Sequence, residues 1–384
     1  MLANLVSWCR ARGWDIDAET SLECVDAPEA GGGRAVRARR DIAAGEVLAA
    51  VPPACLVSTA HLDADFLPGA PPTARLCAAL ALARHDEDAA WHVYASTLPT
   101  AYATPVDFTE LEMEALADFP HTRLAFEQGR AEARRAYATI AAAVPWNDFA
   151  WAWAAFSSRT CYMQVDRAAG DVSVLVPFVD MLNHSPAVAT EAAWDDAARR
   201  YVVRTLTPFR AGEEVCIQYG AHDNDKLAYF YGFVMDDNEM QWVHVDPEIA
   251  GRPPSARHDA WISQYALRAA DFVLDRDGCP SWNLATYLAV IAASDTDLDD
   301  PDKQDQLAGF EEGDTRAARR AVARIARTML KKFATSADED QLLLDTDAED
   351  GSLSPCMRLA VRMRMLKKRI LERARDASGA RPGL

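Results

Sequence analysis

The residues best placed to do chemistry lie in two short stretches. The first, Asp180-Met181-Leu182-Asn183-His184-Ser185-Pro186, closes an apolar run from Val174 to Val179. The second is Ala211-Gly212-Glu213-Glu214-Val215-Cys216-Ile217-Gln218-Tyr219-Gly220, with Tyr219 standing 36 positions after Asn183. An apolar run that ends in a polar, proline-containing turn predicts a buried strand delivering side chains to a loop. Alternation over 214–219 predicts another strand, with Val215, Ile217 and Tyr219 on one face. The Tyr219 phenol then points toward the core beside Asn183 and His184. There it can hydrogen-bond and polarise, but a pKa of about 10 makes it a poor base at neutral pH. Alone, an Asn-His turn usually caps a helix, and a strand tyrosine is usually core with its hydroxyl satisfied. The spaced pair is what points to a site.

Bulk properties bound the setting. With 384 residues, two domains are the expectation. A composition 50% hydrophobic and 26% charged is that of an ordinary globular protein. The net charge of −18 argues against nonspecific nucleic-acid binding. No apolar stretch approaches the roughly 18 residues of a membrane helix. The eight cysteines (9, 24, 55, 77, 161, 216, 279 and 356) form no C-x-x-C pair. That spacing predicts neither a zinc site nor a disulfide framework and fits a reducing compartment. The first residues carry no signal or transit pattern, so a cytoplasmic or nuclear location is expected, or a plastid one if a transit peptide has been removed.

Several elements must position the two stretches. Leu5, Trp8 and Cys9 recur at helical spacing and predict an opening helix. Gly31-Gly32-Gly33-Arg34-Ala35 leads into "RRDIAAGEVLAAVP", whose Ala-Gly-Glu echoes that of "PFRAGEEVCIQY". Gly45 and Gly212 are therefore expected in turns between short strands. Tyr201-Val202-Val203 reads as a strand, and residues 58–143 as mainly helical, the Ala/Glu/Arg-rich 110–144 above all. Phe149, Trp153 and Phe156 mark the buried face of a helix ending near Ser158-Arg159-Thr160-Cys161-Tyr162. Pro247, Gly251, Pro253 and Pro254 predict a linker. Helices are expected at about 256–275 and 282–293, followed by an acidic loop (295–314) and a basic helix (315–333). After a further acidic segment comes a last helix with the stripe Leu359, Met363, Leu366 and Ile370. Its arginines and lysines are expected on a solvated face, with the grip of an acidic protein surface as the other reading.

The pair "DMLNHSP" and "AGEEVCIQYG", followed by "YGF", resembles the SET domain of Rubisco large-subunit lysine methyltransferases, and the likeness runs over almost the whole chain. It implies an α+β fold: a SET β-fold over 1–246 with a helical insert at about 80–150, then an all-α substrate-binding domain over 247–384. It also implies S-adenosylmethionine as cofactor, held by Gly33, Arg34, Arg159, Asp180, Asn183, His184 and Tyr219. Arg159 is expected on the cofactor carboxylate, where a guanidinium pairs in a fork that lysine cannot make. Tyr219 is the catalytic residue, positioning and polarising, while Cys161, Val179 and Tyr231 line the substrate channel. Ala35 replaces the usual second glycine of the cofactor loop.

Methyl transfer from a sulfonium to an amine needs nitrogen, methyl and sulfur in line and the nitrogen neutral. Alignment contributes several kcal/mol, and a desolvated channel disfavours the ammonium. No metal is needed. The implied function is protein-lysine N-methylation of a non-histone substrate docked partly on the C-terminal domain, by a monomer that binds neither nucleic acid nor membrane. Two alternatives stand beside it. A histidine-directed branch carries asparagine and tryptophan where this chain has Cys161 and Val179, which favours lysine. A SET-fold interaction module without catalysis would fit Ala35, but not the joint presence of Arg159, Asn183, His184 and Tyr219.

Overall fold

The computed structural model describes residues 2–27, 33–166, 170–246, 254–300 and 316–377. The chain forms two compact units, 1–107 with 128–221 and 108–127 with 222–384. The expected boundary at 246 falls inside the second unit. Gly31, Gly32, Pro247, Gly251, Pro253 and positions 301–314 of the acidic loop lie outside the described residues. No helix among those described is long and apolar enough to cross a membrane.

The first unit is built on short antiparallel ladders. β1 (Leu22–Ala27) pairs with β2 (Gly33–Ala38), putting Val25 opposite Ala35. β3 (Val47–Val51) and β6 (Thr190–Asp195) flank β7 (Arg200–Thr205), and β4 (Thr160–Asp166) pairs with β5 (Gly170–Leu175). Gly45 and Gly212 hold φ of +87° and +83°, the left-handed turn conformation that glycine adopts without a Cβ penalty. Leu5, Trp8 and Cys9 of the opening helix Leu2–Arg10 are buried in the core with Phe149 of helix Trp146–Arg159. Trp153 and Phe156 pack against the same core half-buried.

The strand expected over 214–219 does not form as a continuous ladder. The segment meets β2 at an antiparallel bridge between Arg37 and Glu214, then takes the Asn183 loop at a parallel bridge between His184 and Ile217. Because it changes partner between the two, neither ladder extends. Its alternation persists: Val215 is fully buried, and Ile217 and Tyr219 are half-buried.

The described residues of the second unit are mainly helical, with a two-stranded antiparallel ladder of β8 (Trp242–His244) and β9 (Val273–Asp275), between which the helix Ala256–Gln264 intervenes. The expected helix at 256–275 stops at Gln264, and its end becomes a 3-10 turn and β9. The run 110–144 breaks into Glu110–Glu114 and Pro120–Ala138, since Pro120 has no N–H for the preceding turn. Phe119, Val243, Leu274, Leu284, Ile325 and Ile370 share the core.

The last helix, Pro355–Asp376, corrects the expectation of a solvated basic face. Leu359, Met363 and Ile370 are buried as expected, but so are Lys367 and Lys368, whereas Leu366 is half-exposed. Carboxylates of the same unit take up the charge: Lys367 with Asp225 at 2.9 Å, Lys368 with Asp340 at 2.8 Å, Arg364 with Asp340 at 2.6 Å and Arg362 with Asp236 at 2.7 Å. Arg358 pairs with Asp347. Counting basic residues could not reveal this, because their acidic partners come from distant sequence.

Candidate active site

The loop after β5 is shaped by a backbone that few residues tolerate. Asp180 N–H donates to the Val176 carbonyl at 3.0 Å, closing a turn in which Phe178 holds φ +73°. For a non-glycine residue that conformation costs about 1–3 kcal/mol. The Phe178 ring is buried edge-on to Trp14, with centroids 6.0 Å apart, so core packing holds the strained turn. A 3-10 turn, Val179–Met181, then leads into Leu182, Asn183 and His184.

Asn183 stitches three segments together. Its side-chain amide donates to the Arg34 carbonyl of β2 at 3.0 Å and to the Glu214 carboxylate at 2.7 Å. Its own carbonyl accepts from Ile217 N–H at 2.9 Å, and the Ile217 carbonyl accepts from Ser185 N–H at 3.1 Å. The Arg34 guanidinium donates to the Thr97 carbonyl at 2.5 Å. Gly33, at φ +74°, has open space where a Cβ would stand.

Tyr219 is fixed at both ends. Its N–H donates to His184 Nδ1 at 3.1 Å, which assigns the neutral ring's proton to Nε2. The rings lie 5.1 Å apart, and the Tyr219 hydroxyl donates to the Leu182 carbonyl at 2.7 Å.

Below the loop lies a buried ionic cluster. Arg159 donates to the Asp180 carbonyl at 2.7 Å, with a guanidinium nitrogen 3.7 Å from the Asp180 carboxylate. Tyr94 donates its hydroxyl to that carboxylate at 2.5 Å. Burial raises the Asp180 pKa, and Arg159 and the Tyr94 bond oppose the rise. Burial works against the Arg159 charge, but Asp180 and the surrounding tyrosines more than compensate, so the guanidinium stays charged. Burial pushes Tyr102 up to about 12, against the pull of Arg159. Among the described residues, three buried polar atoms here have no hydrogen-bond partner: Asp180 Oδ1, Arg159 Nε and the Tyr102 hydroxyl. Each such atom costs about 1–3 kcal/mol, so a cluster of three calls for an explanation.

The structure thus joins Arg34, Asn183, His184 and Tyr219 through one hydrogen-bonded network, with Gly33 beside Arg34 on β2, and Arg159 with Asp180 through another. Val179 is 1% exposed and packs into the core instead of standing on an open wall. Cys161, on β4 opposite Val174, has its thiol pushed up to about 11 by burial and by Asp180, with a bond to Tyr201 opposing. Tyr231 belongs to the second unit, at the end of helix Asn224–Tyr231, its ring 6.3 Å from that of His222. Sequence reasoning missed Tyr94, Thr97, Tyr102 and Glu214. The stretch "WHVYASTLP" holds two of them, but a helical reading gives no hint that its tyrosine reaches Asp180.

Small antiparallel ladders, with a loop bridged to a later segment that ends in a half-buried tyrosine, are the build of a SET domain. A family profile described as SET domain matches residues 33–220, and one described as Rubisco LSMT substrate-binding matches 255–371. SET domain-containing protein 4 of Homo sapiens is 30% identical over 323 residues, covering 75% of this chain and 71% of its own. An Arabidopsis thaliana chloroplastic [fructose-bisphosphate aldolase]-lysine N-methyltransferase is 25% identical, covering 96% of this chain and 81% of its own. The actin-histidine N-methyltransferase of Canis lupus familiaris is also 25% identical, covering 98% and 69%. A solved structure described as the SET domain of LSMT bound to lysine and AdoHcy superposes with a TM-score of 0.68 at 20% identity, covering 98% of this chain and 90% of that one. The chain belongs to the SET-domain family of methyltransferases, in the group that carries a Rubisco LSMT substrate-binding domain.

Proposed function

We propose that this protein transfers a methyl group from S-adenosylmethionine to a lysine side chain of a protein substrate. The observation that carries the reading is the set of orphaned buried atoms around Arg159. Arg159 Nε and the Tyr102 hydroxyl are donors, and Asp180 Oδ1 is an acceptor. A zwitterionic amino-acid end, with one carboxylate and one ammonium, has the charge pattern those atoms require. Gly33, with open space at its Cβ position, lets another molecule approach the backbone of β2. The residues fit the cofactor.

When bound, S-adenosylmethionine supplies a methyl group made electrophilic by the sulfonium. Arg159 and Asp180 hold its amino-acid end, and Gly33, Arg34, Asn183 and His184 frame the rest, Asn183 chiefly by holding β2 and the 214–219 segment together. Tyr219 has committed its hydroxyl proton to Leu182, so its oxygen faces the reaction as an acceptor. That role suits orienting an amine and opposing developing positive charge, and it needs no proton abstraction. The attacking ε-amine must lose its proton first, which desolvation favours. Cys161 supports lysine over histidine, because a thiol does not offer the amide that would hold an imidazole. Tyr231 is assigned to the substrate channel, and residues 247–384 to docking of the protein substrate.

The test is to incubate the enzyme with labelled S-adenosylmethionine and a cell extract, then locate the label by mass spectrometry. Methyl groups on ε-amines are expected. Label on imidazole nitrogen alone would assign the protein to histidine methylation. Failure to bind S-adenosylmethionine in calorimetry would leave a non-catalytic interaction module.

A further inference from the structure

The second unit contains an open cavity of about 420 Å³, lined by Trp242, Asp271, Val273, Ser281, Trp282 and Asn283 among others. Its position follows from the β8–β9 ladder. β8 places Trp242 opposite Asp275 of β9, and Ser281 caps the helix Trp282–Ala292. Ser281 is fully engaged: it donates to the Asp271 carbonyl at 2.7 Å and accepts from Leu284 N–H at 3.3 Å. The Trp242 ring already meets His244 edge-to-face at 4.6 Å, so the groups left to meet a ligand are the exposed Trp282 indole, Asp271 and the Asn283 amide, with Trp242 walling the cavity. Trp282 is 44% exposed, so its indole is open to a partner.

Indole faces carry negative potential and attract cations, more so for a planar guanidinium that also stacks. A carboxylate beside them supplies the paired charge. Trp242 already takes one cation, since Lys367 Nζ lies 5.8 Å from its ring centroid. That ammonium is matched by Asp225 at 2.9 Å, so it leaves no net positive charge to repel a second cation. The overall charge of −18 favours approach of a basic segment.

We infer that this cavity is a recognition site for an arginine side chain on the protein substrate, distinct from the site that receives the methylated residue. The inference rests on the proposal that the second unit docks a protein substrate. Its chemistry is that of a guanidinium: stacked on indole, paired with Asp271 and donating to the Asn283 carbonyl oxygen. A lysine ammonium would lose the planar stacking, and a neutral urea would lose the charge.

The test uses the full chain and does not depend on methyl transfer. N-acetyl-arginine N-methylamide is titrated while the indole N–H signals are followed by NMR, with Trp242→Phe and Trp282→Phe assigning the two relevant peaks. Those two signals should shift saturably in the millimolar range. N-acetyl-citrulline N-methylamide, the uncharged isostere, should shift them at least about fivefold less at equal concentration, and Asp271→Asn should weaken arginine binding by a similar factor, roughly 1 kcal/mol. Equal shifts with citrulline, or no saturable shift of either signal, would overturn the site. Labelled-cofactor incubation of the same sample reports the methyltransferase reading separately, so either can fail alone.

Discussion

The hydroxyl of Tyr219 donates to the carbonyl of Leu182 at 2.7 Å, while its N–H is bonded to His184 Nδ1 at 3.1 Å. The residue is locked to the same loop by its backbone and by its side chain, and its proton is not on offer to a substrate. Tyr219→Phe keeps the ring and the backbone bond but removes the oxygen. It should leave the fold and cofactor affinity near wild type while lowering turnover at least about tenfold, a barrier change of about 1.4 kcal/mol. Unchanged turnover under saturating cofactor would remove Tyr219 from the catalytic assignment.

Tyr94 acts through Asp180 and Arg159 and is a positioning residue. Its 2.5 Å bond helps keep the buried Asp180 carboxylate ionised against the raising effect of burial. Tyr94→Phe should therefore weaken S-adenosylmethionine binding more than it slows turnover at saturation. On the acid side, its cofactor affinity should fall off at a higher pH than in wild type, because Asp180 protonates earlier. Calorimetry across pH 5 to 8 gives the answer. A variant with lower thermal stability but an unshifted pH profile would show that Tyr94 only packs.

Much of the first unit was legible in sequence, because its signals are local. The turn glycines at 45 and 212 and the spacing of Phe149, Trp153 and Phe156 each act over a few residues. The apolar run 174–179 is buried as expected, but its strand ends at Leu175 and the rest turns into the 3-10 helix Val179–Met181. What could not be read depends on contacts far apart in sequence. The 214–219 segment has strand alternation, yet it divides its bonds between β2 and the Asn183 loop. Lys367 and Lys368 look like solvated cations until Asp225 and Asp340, 142 and 28 positions away, are placed against them. The strain at Phe178 has no signature at all, since neither phenylalanine nor the preceding Pro177 suggests a positive φ.

Lys368 and Asp340 form a fully buried pair, both side chains 0% exposed, and Lys368 also donates to the Thr335 carbonyl at 2.8 Å. Lys368→Met leaves the buried Asp340 carboxylate with Arg364 and one bond fewer, and should destabilise the protein by about 1–3 kcal/mol. Adding Asp340→Leu should recover part of that loss, since the under-bonded carboxylate goes too, although Arg364 then loses its partner. Urea unfolding of both single variants and the double variant measures this. A double variant as costly as the two singles added together would mean that the side chains are not coupled.

The second unit should lose stability in mild acid through His244. Its ring is stacked on His121 with centroids 4.0 Å apart, and its Nδ1 is buried without a hydrogen-bond partner among the described residues. Burial, then the charges of His121 and Lys367, lower its pKa from 6.5 to about 4, with Asp225 and Asp271 opposing. Above pH 6.5 the ring is neutral in both folded and unfolded chains, and His244 contributes no pH dependence. Between 6.5 and 4 the unfolded chain takes up a proton that the folded chain refuses, so stability falls with pH and levels off only below the folded value. His244→Phe keeps a ring in the stack and removes the titration. Its urea midpoint should fall less than that of wild type between pH 7 and pH 4.5. Midpoints that fall in parallel would assign the acid sensitivity to carboxylates elsewhere and show that His244 does not contribute.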